Sequence, residues 1–189
     1  MNPRSFARSF VLVALLTVNA GTARGNDIVK RPMIIHKLPE VGLEIWTEAN
    51  PQWEVAVTRS GNRNTFSTET PGSTYPPAGM TFTLSGFKFS EAEFPRAARS
   101  AVDQAARNYG VPNGQLAGIA LKPASYGAFS GYEAEFSAVA DTVPVDIRVF
   151  FGHQPGMPAV AMQVFTLKGK LPHLSEQIRR SWSNVKYLQ

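Results

Sequence analysis

The chain has 189 residues, no cysteine and a formal net charge of +5. The absence of cysteine excludes disulfide bonds, a thiolate nucleophile and a lipid-attachment cysteine. Lysine and arginine are scattered without a block, which disfavours the concentrated basic surface of a nucleic-acid-binding protein. Because disulfide bonds are excluded, the stability of the fold has to come from a packed core. The length of the chain suffices for one domain.

Residues 1–25 have the order of features typical of a secretion signal peptide. Arg4 and Arg8 supply a positive start, an apolar run follows, and small residues come next, with a plausible cleavage site after Ala20. The apolar run of about nine residues is too short for a membrane-spanning helix, which needs roughly 20. We therefore expect a soluble exported protein, periplasmic or secreted, with no integral membrane segment in the mature chain.

After the signal we expect an extended N-terminal segment, residues 26–41, and a single domain, residues 42–189. Runs in which apolar and polar residues alternate predict strands, and turn-forming residues mark the boundaries between them. In chain order these are a short strand at Met33 to His36, strands at GLEIW (42–46) and QWEVAV (52–57), a hairpin return at NTFSTE (64–69), a proline-rich loop (70–79) and a strand at MTFTLS (80–85).

The period then changes to that of an amphipathic helix. The stretch SEAEFPRAARSAVDQAARNYG places apolar side chains on one stripe, and Gly110 with Pro112 gives a stop signal. Ser90 and Glu93 have capping-box spacing, whereas Pro95 favours a start near Phe94. The helix is followed by LAGIALK (116–122), a hairpin (132–151), PAVAMQVFTLK (158–168), a C-terminal helix in PHLSEQIRRSWSNV (172–185) and a short final strand in NVKYL (184–188).

The hairpin contains most of the charged residues that resemble a catalytic cluster. A turn centred on Asp141 and Thr142 pairs Phe136 with Ile147 on one face and Glu135 with Arg148 on the other. One register thus aligns the apolar side chains and pairs opposite charges. The charged side chains are therefore interpreted as the solvated face of a sheet.

Motifs for catalysis and for cofactor or metal binding are absent from the sequence. His36, His153 and His173 are isolated from one another, so no metal site and no cofactor are expected. GxSxG, GxxxxGK[ST] and GxGxxG do not occur. A small periplasmic hydrolase that uses Glu133, Glu135 or His153 remains an alternative, and it requires these side chains to converge in a pocket.

Aromatic residues near turns are the candidate binding residues. Tyr126 and Tyr132 flank a glycine-spaced stretch, Trp53 follows the EANP turn, and His153 opens the proline–glycine loop GHQPGMP (152–158). Exposed aromatic side chains dominate many recognition surfaces, but the same residues can instead cap the core beneath the turns.

The GLEIW and QWEVAV strands, the long helix, the GYEAEF and VDIRVFF strands and the IRRSWSNVKYL end resemble the PsbP-like and DcrB-like families. The resemblance covers roughly residues 42 to 188. It implies an α+β fold: an α/β/α sandwich with a mainly antiparallel sheet, one long helix and one C-terminal helix. It also implies a non-enzymatic accessory or assembly protein that binds a protein partner in the cell envelope. An immunity-type protein that neutralises a toxin is a further alternative.

Overall fold

The structure is a computed structural model that describes residues 32–188. The predicted signal peptide and the first part of the N-terminal segment lie outside these residues. No helix between residues 32 and 188 is long and apolar enough to cross a membrane.

Ten strands form two antiparallel sheets in this part of the chain, with seven strands in the large sheet and three in the small sheet. The large sheet has the order β3-β4-β5-β9-β8-β7-β6, and the small sheet has the order β1-β2-β10. The strands are β1 (Met33–Leu38), β2 (Leu43–Glu48), β3 (Glu54–Ser60), β4 (Arg63–Glu69), β5 (Ala78–Leu84), β6 (Lys122–Tyr126), β7 (Phe129–Ala140), β8 (Val143–His153), β9 (Val160–Leu167) and β10 (Lys186–Tyr187). The helices are α1 (Phe94–Asn108), the short α2 (Asn113–Leu116), a 3-10 turn (Leu171–Leu174) and α3 (Ser175–Ser183).

The elements form three layers around the large sheet. Helix α1 packs on one face, where Ala134, Ile147 and Val149 are buried against Val102 and Ala106. Helix α3 and the small sheet cover the other face. The core on this second side contains Phe66, Phe82, Phe150, Met162, Ile178, Trp182, Leu43 and Ile45. The predicted sheet-dominated α+β sandwich is confirmed, with a second sheet that the sequence pattern did not predict. The two faces are called the α1 face and the α3 face below.

The predicted hairpin register is confirmed. Strands β7 and β8 pair Glu135 with Arg148 and Phe136 with Ile147. Asp141 and Thr142 both have positive φ, the conformation of a two-residue type I′ turn between twisted strands. The Arg148 Nε donates to Glu135 Oε1 at 2.7 Å, so the charges pair across the strands on one face.

The charged face of this hairpin is not entirely solvated. Phe150 stands on the same face as Arg148, is fully buried, and packs near Trp182 of α3. The interpretation of this face as solvated therefore holds for Glu135 and for the Ser137–Asp146 pair. It does not hold for the end of the hairpin that α3 covers.

The predicted start of the long helix near Phe94 is confirmed. Helix α1 begins at Phe94, and the Glu93 carboxylate accepts hydrogen bonds from the backbone N–H and hydroxyl of Ser90. The Met33–Leu38 strand pairs along its whole length with β2, and Val41 is buried in the core on the α3 face.

Candidate functional site

The Trp53 pocket opens at the edge of the large sheet, where three segments distant in sequence meet. The first is the turn between β2 and β3, which a bridge between Ala49 and Gln52 closes. The second is the loop between β4 and β5, and the third is the 3-10 turn with the start of α3. The pocket has a volume of about 330 Å³, within the usual range of ligand sites. The residues used below are Glu48, Trp53, Tyr75, Lys170, His173 and Gln177.

The β4–β5 loop has a hydrogen-bonded base that holds its aromatic residue at the rim. The Thr70 N–H donates to the Ala78 carbonyl, and the Ala78 N–H donates to Thr70 Oγ1, each at 2.9 Å. Within the loop, the Thr74 N–H donates to the Pro71 carbonyl. These bonds satisfy backbone groups locally, so the loop projects Tyr75 from a fixed base.

The aromatic residues of the pocket differ strongly in exposure. Trp53 is only 5% exposed and belongs to the core on the α3 face, whereas Tyr75 is 69% exposed. The Lys170 Nζ lies 5.4 Å from the centre of the Tyr75 ring, within cation–π distance. The pocket therefore has a buried apolar wall and a rim that combines an exposed ring with an ammonium group.

The charged side chains of the pocket lie at different depths. Glu48 is buried at the end of β2, and its carboxylate lies 3.3 Å from the Arg180 guanidinium. Lys170 has no carboxylate within salt-bridge distance among residues 32–188. Because the deeper carboxylate has a cationic neighbour and the rim ammonium lacks an anionic one, the rim favours an anionic group. Gln177 and His173 add side chains that can form hydrogen bonds.

A second, more open groove of about 470 Å³ lies between β6, β7, β8 and α3. The Tyr126 hydroxyl donates to Glu133 Oε2 at 2.8 Å, and Arg148 pairs with Glu135. Burial, followed by the hydrogen bond to Glu133, raises the pKa of Tyr126 to about 12. The Tyr126 ring also lies 5.0 Å from that of Trp182. These groups satisfy one another, which fits a structural role for the groove.

The structure separates the predicted binding residues into three places. Trp53 lines the pocket, and Tyr126 lines the second groove. Tyr132 and His153 lie on the α1 face, where the His153 ring stacks on Phe94 with centroids 4.0 Å apart. Tyr132 and His153 therefore pack against α1, and the four predicted binding residues lie at three separate places.

The side chains of the alternative catalytic set also do not converge. Glu133 and Glu135 lie on the α3 face, whereas His153 stacks against α1 on the opposite face. No group of three His, Asp or Glu side chains within residues 32–188 is arranged to hold a metal ion.

Most residues of the Trp53 pocket were not predicted from the sequence. Tyr75 had one readable signal, a large aromatic side chain inside a proline-rich loop. The sequence contains no such signal for Lys170 or Gln177, because only the packing of α3 beside β2 brings these residues to Trp53.

No protein family and no curated protein matches the sequence. The fold is similar to a crystal structure from Bacteroides thetaiotaomicron VPI-5482, with a TM-score of 0.52 and 8% sequence identity. The similarity covers 82% of this chain and 48% of that protein, so the chain spans about half of the other protein's length. At this level of identity the similarity shows the fold alone. The resemblance to the PsbP-like and DcrB-like families stays a prediction.

Proposed function

We propose that the chain is an exported, non-enzymatic protein of the bacterial cell envelope that binds a protein partner through the Trp53 pocket. The observation that carries this proposal is the rim, where an exposed Tyr75 ring and the Lys170 ammonium stand over a wall formed by Trp53. Large aromatic side chains beside a pocket are common centres of binding energy in protein interfaces.

The proposal of export rests on the signal-like order of features in residues 1–25. The proposal of a non-enzymatic role is supported by the positions of Glu133 and Glu135, whose side chains lie on the face of the sheet opposite His153. The composition of the pocket supports recognition of a protein. Its polar side chains supply hydrogen-bond donors and acceptors, and its rim supplies an anion-attracting charge.

Capture from an envelope extract with the full-length protein as bait tests the proposal. We expect a partner that binds the unmodified protein and loses about tenfold or more in affinity with Tyr75→Ser or Lys170→Glu. Phe87→Ser is the matched control, because Phe87 is also an exposed aromatic residue but follows the far end of β5.

The affinity of each variant for the captured protein is measured by titration calorimetry. A partner whose affinity is unchanged by both pocket variants, or reduced equally by Phe87→Ser, would show that the pocket is not the recognition site. Failure of the unmodified protein to capture any protein would contradict the proposed function itself.

A further inference from the structure

Strand β3 is the outer strand of the large sheet and leads directly away from the Trp53 pocket. Within residues 32–188 it pairs with β4 alone, in a register that joins Ser60 to Arg63 across a two-residue turn. The opposite edge of β3 therefore has no strand partner in this part of the chain. Because neighbouring pairs in an antiparallel ladder alternate between bonded and non-bonded, every second residue of β3 directs its backbone groups outward.

The register identifies these outward residues. The pair of residues that flanks a two-residue hairpin turn is hydrogen-bonded, so the backbone of Ser60 bonds to β4. The backbones of Thr58 and Ala56, two and four positions before Ser60, bond to β4 in the same way. Consistent with this, the carbonyl of Ala56 accepts a hydrogen bond from the Ser67 hydroxyl of β4. Val55, Val57 and Arg59 therefore present their N–H and C=O groups to the open edge.

The side chains along this edge continue the apolar wall of the pocket. Trp53, Val55 and Val57 alternate with residues of the other face, so they lie on the same face as the pocket, next to the buried Phe66 of β4. Val55 is 45% exposed and Val57 is 41% exposed. Natural proteins usually protect an open sheet edge with charges, prolines or a covering element. Strand β3 has exposed charged residues near its two ends, Glu54 and Arg59, but the two valines between them are exposed and apolar, which suits this middle part of the edge to pairing.

The charges on the face of the valines determine the kind of occupant. On this face Lys170 stands at the pocket end and Arg59 at the far end, whereas Glu54 and its cross-strand neighbour Glu69 lie on the opposite face. Every ladder of the large sheet is antiparallel, so an added strand is expected to run against β3. Since β3 runs away from the pocket, an antiparallel strand brings its carboxyl end to the Lys170 ammonium.

We propose that β3 and the Trp53 pocket together bind an extended C-terminal segment of a partner protein by strand addition. Its alternate apolar side chains contact Val55 and Val57, and its terminal carboxylate pairs with Lys170. This inference rests on the proposed function, because it specifies how the pocket recognises its partner. Strand addition derives affinity from main-chain hydrogen bonds and specificity from alternate side chains and a terminal charge.

The probe is a fluorescein-labelled heptapeptide of alternating threonine and valine that ends in glutamate with a free carboxylate, and binding to the full-length protein is followed by anisotropy. We expect at least tenfold weaker binding when the peptide ends in an amidated glutamine, and an equal loss when the protein carries Lys170→Glu.

Val57→Pro removes an outward N–H without removing a bond to β4, so it should also weaken binding at least tenfold. Val57→Thr keeps the N–H and the branched shape, and it should change the affinity only about two- to threefold.

Two backbone-methylated peptides test strand addition without altering the protein. One peptide carries N-methyl groups at its odd residues and the other at its even residues. Strand addition predicts that one pattern abolishes binding and the other is tolerated, because only alternate N–H groups face β3. Equal effects of the two patterns would overturn the proposal.

A captured partner that needs Tyr75 but is not displaced by the unmethylated probe would also overturn strand addition and leave the proposed function intact. Absence of both a partner and probe binding would contradict the two proposals together.

Discussion

A matched pair of glycine substitutions tests how α3 is positioned on the large sheet. Gly61 and Gly127 are each the first residue of a two-residue turn, between β3 and β4 and between β6 and β7, and both have φ of 58°. A Cβ at Gly61 has open space, whereas a Cβ at Gly127 overlaps the carbonyl oxygen of Ser183 at the end of α3. The two sites share the same φ and differ in the atoms that surround the added Cβ.

The expected losses of stability follow from these surroundings. Gly61→Ala places alanine at a positive φ, and such sparsely populated backbone conformations cost a non-glycine residue about 1–3 kcal/mol. Gly127→Ala has the same backbone cost and adds a clash with main-chain atoms, for which overpacking costs of about 1–3 kcal/mol are typical. The difference between the variants should therefore be about 1–3 kcal/mol.

Urea denaturation of both variants measures this difference, with the slope of the transition checked for constancy. A thermal scan should show Gly127→Ala melting lower by about 2–4 °C for each kcal/mol. Equal losses of stability in the two variants would refute the close packing of the β6–β7 turn on α3.

Three further predictions concern the large sheet. A double-mutant cycle of Glu135 and Arg148 to alanine should give a coupling below about 1 kcal/mol that decreases in high salt, and a coupling of 3 kcal/mol would contradict a surface pair. Ile147→Ala should cost about 2–5 kcal/mol of unfolding free energy, whereas the exposed Val139→Ala should cost less than about 0.5, and similar values would contradict the assigned faces. The pKa of Tyr126 is raised to about 12 in the folded protein and is about 10 when unfolded. Between these values the unfolded chain loses the proton first, so stability falls from pH 10 to pH 12, and Tyr126→Phe should make this fall shallower in denaturant titrations.

Local patterns predicted the elements that depend on neighbouring residues. The β7–β8 register followed from the match of Phe136 with Ile147 and of Glu135 with Arg148, because a slip by one residue would reverse every side chain. The amphipathic stripe of α1 and the spacing of Ile178 and Trp182 likewise determine which side of each helix is buried.

Elements that depend on distant pairing were not predictable in the same way. Strand β6 contains Pro123, and its sequence has no alternation that predicts a strand, although it pairs along β7 at the end of the sheet. The small sheet joins Lys186 to Glu44, a pairing that no local period encodes. Phe150 was not recognised as buried, because its burial depends on α3 covering a face whose other residues are charged.

The Trp53 pocket shares this dependence on distant contacts. The sequence indicates Trp53 as an aromatic residue after a turn, but Tyr75 and Lys170 reach it only through the β4–β5 loop and the packing of α3. The same kind of signal indicates Tyr132 and His153, yet these two residues pack against Phe94 of α1. The position of an aromatic residue near a turn therefore does not distinguish a residue that lines a pocket from one that packs against a helix.

Residue-resolved amide exchange of the full-length protein, with and without the captured partner, tests recognition along β3 most directly. In the unbound protein the amides of Val55, Val57 and Arg59 should exchange rapidly, while those of Ala56 and Thr58 are protected by β4. Binding should slow the three outward amides and leave the inward pair little changed. Unchanged exchange at the three outward amides in a complex that needs Tyr75 and Lys170 would contradict recognition along β3.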